Sequence, residues 1–395
     1  MIVVGREFNI PLILGSLFLV GLIADLLGRY TFLPRVTLLL LSGLLIGPSG
    51  LSLLPVDFVQ GWFSVLTSIA LALIGFLLGQ QLSLPALKKR GLMVVGISIC
   101  KVIGACVFVG GILLLIGVDP VVALLLAGIA PATAPASIFD LVHESDATGE
   151  FPDTLLSIAA IDDVWGLIIF IVMIACSAIV TGDSAVGIGM VESGKTLAGS
   201  IVLGMALGAP MAYLTGRIKS GEPTQAEALG FVLLGAGAAE VLDALPILTA
   251  MVMGVTVASL AVHHERPFRS IEGFEWPFMI LFFVLAGASL ETDALLLAGS
   301  VTAVYIVSRC LGILAGSSVG SVLTDAPRPL KKWLGLALFP QAGVAIGMAL
   351  FATQKFPETT AVVLTVVVAS TIVLETLGPI FTRWAILAAT RSEGE

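Results

Sequence analysis

Charged side chains are scarce in this sequence: Asp, Glu, Lys and Arg together make up 12% of its 395 residues. A soluble domain carries about twice that fraction, so the composition excludes an ordinary soluble protein. The hydrophobic residues, 58% of the chain, occur in blocks of about twenty, the length of a helix that crosses the hydrocarbon core of a bilayer. The sequence therefore predicts an all-α polytopic membrane protein whose surroundings are the lipid bilayer.

Cysteine and histidine are also rare, with four and three copies. The cysteines all lie in apolar blocks, and no C-x-x-C pair or Cys/His cluster occurs, which argues against disulfides and zinc sites. The first apolar block, 9–28, has neither a basic region before it nor a small-residue cleavage site after it, so we interpret it as a retained span. We expect no cofactor and no nucleic-acid partner.

Breaks at charged or Pro/Gly-rich stretches divide the chain into thirteen apolar segments. If these alternate across a membrane, 14 of the 19 basic residues lie on one side and three on the other, while Lys101 and Arg309 fall within segments. Because Lys and Arg concentrate in cytoplasmic loops, this bias predicts thirteen spans with the N-terminus outside and the C-terminus in the cytoplasm, in a bacterial or archaeal inner membrane. No long linker interrupts them, which favours a single membrane domain, 1–395. The approximate limits are 9–28, 36–53, 60–82, 91–117, 120–141, 152–180, 194–216, 224–241, 244–262, 274–291, 295–322, 331–353 and 358–387.

Two adjacent carboxylates, Asp162 and Asp163, lie about a third of the way along the sixth segment. An ionisable residue near the bilayer centre costs roughly 2.5–3.5 kcal/mol and usually marks an ion pathway or a buried pair. Neighbouring helical residues point about 100° apart, so the two carboxylates need different partners. We predict that one faces a water-filled cavity and exchanges a cation for a proton, while a fixed positive charge holds the other. A purely structural role for both is the weaker interpretation.

Arg309, near the middle of the eleventh segment, is the predicted fixed charge, because a guanidinium stays protonated in any protein setting. We predict an Asp162–Arg309 pair, which leaves Asp163 as the titrating group; a purely structural clamp by Arg309 is compatible with this. Lys101 lies about ten residues into its segment, too deep for its ammonium to reach the interface easily. It either pairs with a buried acid, the favoured interpretation, or faces the same cavity.

Prolines interrupt the fifth and twelfth segments. A proline frees a carbonyl and breaks a helix, and unsatisfied backbone is tolerated at membrane depth only inside protein or around a polar cavity. We therefore predict two discontinuous helices that cross near the midplane and offer carbonyls and half-helix dipoles to bound ions, with the Thr133 hydroxyl beside them. A simple kink remains open for either segment alone. The residues of the two interruptions are Pro131, Pro135, Pro340, Gln341 and Gly343.

The two interrupted segments occupy matching places in a repeated order. Segments 4–6 give an intact helix with Lys101, a broken helix, and a helix with the two aspartates; segments 11–13 give an intact helix with Arg309, a broken helix, and a helix with Glu375. The triplets are offset by seven segments, an odd number, so they insert with opposite orientation. This is the inverted-repeat layout of secondary transporters, whose site lies at the repeat interface.

Four motifs resemble the sodium/proton antiporter branch of the cation:proton antiporter superfamily, especially bacterial members with paired aspartates, and more distantly the Kef-type potassium exchangers. The likeness covers nearly the whole chain. The most specific match is Ala160–Asp163, which is similar to the ion-binding aspartate motif. The others are the opening signature, Leu33–Val36 with Gly43–Pro48, the third-span motif Ile74–Gly79, and the last-span motif Ile372–Pro379.

The resemblance implies a homodimer active in pH homeostasis, with a dimerisation part (9–82 and 194–291) beside a core (91–180 and 295–387). It implies that Na⁺ and a proton compete for Asp163, with Thr133 nearby, while the core moves like an elevator. Arg309 stands where paired-aspartate members often have lysine. If that lysine carries a proton in relatives, exchange in this protein would be electroneutral.

Other functions remain open at this point. A K⁺/H⁺ antiporter is compatible with the same residues, because oxygen ligands suit sodium, lithium and potassium alike. A sodium-coupled organic-anion symporter of related architecture is a second alternative, although adjacent aspartates with a buried arginine favour proton exchange. An intramembrane aspartyl protease would need two aspartates converging from different helices, and a channel would need a symmetric filter. The sequence shows neither, so we expect a transporter rather than an enzyme.

Overall fold

A computed structural model describes residues 3–4, 7–30, 35–81, 84–145, 147–180, 186–215, 224–261, 265–289, 299–341 and 343–393. The strands β1 (Val3–Val4) and β2 (Glu7–Phe8) form a short antiparallel hairpin. The remaining regular structure of these residues is helical, which confirms the all-α prediction.

Fifteen α-helices lie within the described residues, and a 3₁₀ turn, Pro357–Thr359, precedes the last of them. The helices are α1 (Ile10–Tyr30), α2 (Arg35–Ile46), α3 (Val56–Gln81), α4 (Leu84–Leu115), α5 (Pro120–Ile129), α6 (Pro135–Glu144), α7 (Glu150–Val180), α8 (Val186–Thr215), α9 (Thr224–Val241), α10 (Pro246–Leu260), α11 (Glu265–Ala288), α12 (Gly299–Leu323), α13 (Arg328–Ala337), α14 (Gly343–Lys355) and α15 (Thr360–Glu393).

Each of the thirteen predicted segments falls on one of these helices or on a pair of them. Within the described residues, six helices are long and apolar enough to cross a membrane, and the bent pair Arg266–Phe274 and Trp276–Ala288 adds a seventh candidate. The protein is therefore a multi-pass membrane protein. The remaining segments fall on shorter or more polar helices, so the number of thirteen crossings stays a prediction.

Residue contacts divide the chain into two compact units. The first comprises Met1–Gly21, Pro55–Lys89 and Asp183–Leu285; the second comprises Leu22–Leu54, Arg90–Gly182 and Ala286–Glu395. In the first unit α10 packs against α3, α8 and α9. Compactness alone does not assign a function to either unit, so the division into a core and a dimerisation part remains a prediction.

In the second unit, α4 and α12 approach each other through glycines. A Cβ at Gly104 would lie 2.6 Å from the Gly312 carbonyl oxygen, and a Cβ at Gly312 would lie 2.7 Å from the Gly104 carbonyl oxygen. Small residues permit such backbone contact between membrane helices. Lys101 and Arg309 each lie three residues before one of these glycines. The contact therefore brings the two helices that carry the buried cations together.

We expect Gly104→Ala to lower the melting temperature of the purified protein in detergent. An added methyl group would force the backbones apart, and overpacking of this kind costs roughly 1–3 kcal/mol, more than the gain of about 1 kcal/mol in helix propensity. Gly111→Ala is the matched control on the same helix, because nothing lies within 4 Å of its added Cβ. Equal melting temperatures for the two variants would contradict the close contact.

Candidate ion-binding site

The first helix break separates α5 from α6. Helix α5 ends at Ile129 and α6 begins at Pro135, and residues 130–134 between them are buried. Pro131 lies within the break, whereas Pro135 occupies the first helical position, where proline removes no helical hydrogen bond. The interruption predicted from these prolines is thus present.

The second break separates α13 from α14. Helix α13 ends at Ala337 and α14 begins at Gly343, and the described residues between them, 338–341, are buried. Pro340 lies within the break. The neighbouring Gln341 donates a hydrogen bond from Nε2 to the Tyr305 hydroxyl (3.1 Å), and its buried Oε1 has no hydrogen-bond partner among the described residues. A free amide oxygen of this kind is a suitable ligand for a hard cation.

Arg309 joins the two breaks. Its Nε donates to the Ala130 carbonyl (2.9 Å), its Nη2 to the Ala132 carbonyl (2.6 Å), and its Nη1 to the Phe339 carbonyl (2.7 Å). The side chain is wholly buried. The planar guanidinium presents several donors in fixed directions, so one residue satisfies carbonyls at both interruptions.

Lys101 neutralises Asp162. Its Nζ lies 2.9 Å from Asp162 Oδ2 and donates to the Pro131 carbonyl at 2.6 Å. Ser98, one turn earlier on α4, donates to Asp162 Oδ1 at 2.6 Å. Both Asp162 oxygens therefore accept hydrogen bonds, and the wholly buried pair of Lys101 and Asp162 carries no net charge.

The predicted pair of Asp162 and Arg309 is wrong. The α4 lysine takes the carboxylate, while the arginine takes three backbone carbonyls. The carbonyls from Ala130 to Ala132 each accept a hydrogen bond from one of these two side chains. Side-chain cations thus occupy the carbonyls that the sequence suggested for bound ions.

The structure does not test the roles of two predicted ligands, Asp163 and Thr133. Asp163 follows Asp162 on α7, but its side chain lies outside the described residues, so its role as a sodium and proton ligand stays a prediction. Thr133 is buried in the first break, which agrees with a place near the site without testing its role. Within the described part of the chain, no group of three or more His, Cys, Asp or Glu side chains could hold a metal ion.

Sequence reasoning missed Ser98 and Tyr305. Ser98 had a visible signal: it lies three residues before Lys101, so its hydroxyl shares a helix face with the buried ammonium. That placement lets two side chains on one face of α4 donate hydrogen bonds to the two oxygens of Asp162. The sequence signal for Tyr305 was weaker. Its position four residues before Arg309 places it on the same helix face, but nothing in the sequence indicates that Gln341 donates a hydrogen bond to it.

Residues 14–384 match the family described as "Sodium/hydrogen exchanger, transmembrane". This protein belongs to the sodium/hydrogen exchanger family. The resemblance to cation:proton antiporters is thereby confirmed, while the closer likeness to bacterial paired-aspartate members stays a prediction. The exchanger is also 22% identical over 361 residues to a protein of Methanocaldococcus jannaschii named "Probable Na(+)/H(+) antiporter 2", covering 85% of this chain and 83% of that protein.

Two solved structures of the sodium proton antiporter MjNhaP1 from Methanocaldococcus jannaschii have the same fold as the exchanger. One matches with a TM-score of 0.70 at 19% identity and covers 96% of each chain. The other, from electron microscopy, matches with a TM-score of 0.72 at 18% identity and covers 98% of this chain and 99% of that one. Because these identities are low, the two matches support a shared fold and do not assign functions to individual residues.

For the exchanger we expect Lys101→Met to lower the melting temperature sharply at pH 8. The substitution leaves Asp162 buried without its counter-charge, and breaking a buried pair in this way costs about 3–5 kcal/mol. Adding Asp162→Asn should restore much of the loss, which a double-mutant cycle would measure. Lys331→Met is the control, because its partner Asp325 is fully exposed and Lys331 is partly exposed, so the pair is worth about 0–1 kcal/mol. Additive losses in the double variant would contradict the pair.

Proposed function

We propose that this protein is a secondary active antiporter that exchanges a monovalent cation, primarily Na⁺, for protons. The observation that carries the proposal is the buried charge cluster at the two helix breaks: the pair of Lys101 and Asp162, and Arg309 bridging both interruptions. Membership of the sodium/hydrogen exchanger family supports the same function. We place the protein in a bacterial or archaeal inner membrane, N-terminus outside and C-terminus cytoplasmic, as a homodimer.

The described charges at the breaks leave one positive charge uncompensated. Asp162 cancels Lys101, whereas Arg309 donates hydrogen bonds to three carbonyls among the described residues, which carry dipoles rather than a full charge. An uncompensated charge in a medium of low dielectric constant is costly. A second carboxylate near the cluster would therefore be favoured in its ionised form. Asp163, the next residue on α7, is the candidate for that carboxylate.

Exchange follows from competition for this carboxylate. Asp163 binds either a proton or a sodium ion, so binding one displaces the other. If only the two loaded forms cross the membrane, the gradient of one ion drives the other. We propose that the second unit, which contains both breaks, forms the moving core of an elevator-like cycle, with alternating access of Asp163 to the two sides.

The first test is proton movement in proteoliposomes, followed with a fluorescent pH probe while Na⁺, Li⁺ or K⁺ is added. The wild-type protein should collapse an imposed pH gradient, and the order of the cations would decide between Na⁺/H⁺ and K⁺/H⁺ exchange. Asp163→Asn should abolish the response, because an amide neither binds a proton nor balances a cation. Asp153→Asn, at the exposed start of the same helix, is the matched control and should retain it.

Retained exchange in folded Asp163→Asn protein would remove Asp163 from the mechanism. No response of the wild-type protein to any cation would remove the antiport proposal itself, and would favour the sodium-coupled organic-anion symporter.

We expect the exchange to be electroneutral. Arg309 stays charged throughout, and Lys101 is held in its ammonium form by Asp162 and the Pro131 carbonyl. Only one carboxylate then alternates between a proton and a cation, so no net charge moves. Transport rates in proteoliposomes should be the same with and without an imposed membrane potential. A rate that scales with the potential would count against this stoichiometry.

A further inference from the structure

Among the described residues, the buried charged side chains are two cations and two acids: Lys101, Arg309, Asp162 and Glu375. All four belong to the second unit. Asp162 forms an ion pair with Lys101 and accepts a hydrogen bond from Ser98. The four charges therefore sum to zero only when Glu375 is ionised, and to +1 when it carries a proton. The net charge of this set depends on Glu375.

Glu375 has no counter-charge among the described residues. Its side chain on α15 is 3% exposed, and the Ser137 hydroxyl hydrogen-bonds its carboxyl group. Its Oε2 is buried without a hydrogen-bond partner in the described part of the chain, and the ion pairs found there, Lys101–Asp162 and Lys331–Asp325, do not include it. Two opposing effects act on it. Burial favours the neutral, protonated form, whereas Ser137 and the first turn of α6 favour the ionised form.

The α15 face that carries Glu375 runs along the second break. Gly378 and Thr382 follow at the spacing of one helix face. The Thr382 hydroxyl donates to the Ala337 carbonyl at 2.9 Å, and a Cβ at Gly378 would lie 2.8 Å from the Pro340 Cα. Because Ser137 lies just after the first break, Glu375 connects the helices of both interruptions.

Among the described helices, those that pack most closely against α15 are α2, α5, α6, α7, α12, α13 and α14. The side chains of Arg35, Asp140, His143, Glu144 and Asp163 on them lie outside the described residues. Helix α5 carries no charged residue. The described charged and titratable residues of the other helices are the following: Asp162, which pairs with Lys101 of α4, Arg309, Tyr305, Cys310, Cys176, and the partly or fully exposed Glu150, Asp153, Arg328, Lys331, Lys332 and Lys355. Helix α15 itself also carries the exposed Arg383 and Arg391.

We propose that Glu375 is a second proton-binding site, separate from the aspartate pair, and that its proton sets the rate of exchange. The proposal rests on the proposed function. Asp163 with a proton, or with a sodium ion, adds no net charge. When Glu375 has released its proton to water, the described buried charges sum to zero in both loaded forms; when it is protonated, they sum to +1 in both. A surplus charge opposes movement through a low-dielectric membrane, so acid slows the cycle through Glu375.

The effect differs from competition at Asp163. Excess sodium overcomes a proton that competes for the same carboxylate, but it does not remove a proton from Glu375. Acid should therefore lower kcat as well as raise KM. The test measures sodium-driven proton movement in proteoliposomes at saturating sodium from about pH 5.5 to about pH 9, because buried carboxyl groups can titrate as high as about pH 8–9. The wild-type protein should slow as the pH falls.

Glu375→Gln fixes the side chain in a neutral form like the protonated one. We expect its kcat to be at least about tenfold below the wild-type alkaline value, as for a buried surplus charge, and independent of pH. Ser137→Ala removes a donor that favours the ionised form. Its kcat should reach the wild-type value at alkaline pH. The midpoint of the acid limb, the pH at which kcat falls to half of this value, should be higher than in the wild type. Ser370→Ala is the control on α15, because its buried hydroxyl donates to the Val367 carbonyl of its own helix.

The outcomes are distinguishable from a failure of the proposed function. The proposal would be overturned if the wild-type protein exchanges ions and kcat falls with acid at the same pH in the wild type, Glu375→Gln and Ser137→Ala. A purely structural pattern, in which both variants lose rate equally at every pH, would also overturn it. If Glu375→Gln does not fold, the shift of the acid limb in Ser137→Ala decides: a shift to higher pH supports the proposal, and an unchanged midpoint overturns it. Absence of wild-type exchange at every pH would instead contradict the antiport function.

Discussion

A broken helix inside a membrane exposes backbone carbonyls that bulk water does not reach, and the rest of the site depends on how these carbonyls are satisfied. At the first break, Ala130, Pro131 and Ala132 all accept hydrogen bonds from Arg309 or Lys101. A neutral hydroxyl has a single hydrogen to donate, whereas the guanidinium serves two of these carbonyls and also reaches Phe339 at the second break. The two interruptions are thus held by charged side chains.

Holding the breaks with charge creates a second requirement, because buried cations need anions. Asp162 meets this requirement for Lys101 at 2.9 Å. Arg309 contacts carbonyl dipoles, so its full charge is spread but not cancelled. A carboxyl group in this region therefore experiences a surplus positive charge. The interactions that stabilise the breaks are in this way the same ones that favour a carboxylate able to release its proton and take a cation.

The helices and both breaks could be predicted from the sequence because they depend on local properties. Apolar block length predicts a helix, and a proline removes a helical hydrogen bond, which makes Pro131 and Pro340 candidate points of interruption. The partner of Asp162 could not be predicted in the same way. Lys101 and Arg309 are both buried cations near the middle of intact segments, and the choice between them depends on how α4 and α12 pack. That packing follows from the contact of Gly104 with Gly312, which a single sequence does not reveal.

The two halves of the repeated order are alike in packing and different in chemistry. Each intact helix places its cation three residues before a contact glycine, and each triplet ends on a helix with a buried acid. An exact repeat would pair Arg309 with Glu375 as Lys101 pairs with Asp162. Arg309 instead takes the carbonyls of both breaks, which leaves Glu375 with only the Ser137 hydroxyl among the described residues. With two such pairs, both of the described buried acids, Asp162 and Glu375, would be held in ion pairs. Using one cation to join the breaks therefore leaves a buried acid that is able to exchange a proton.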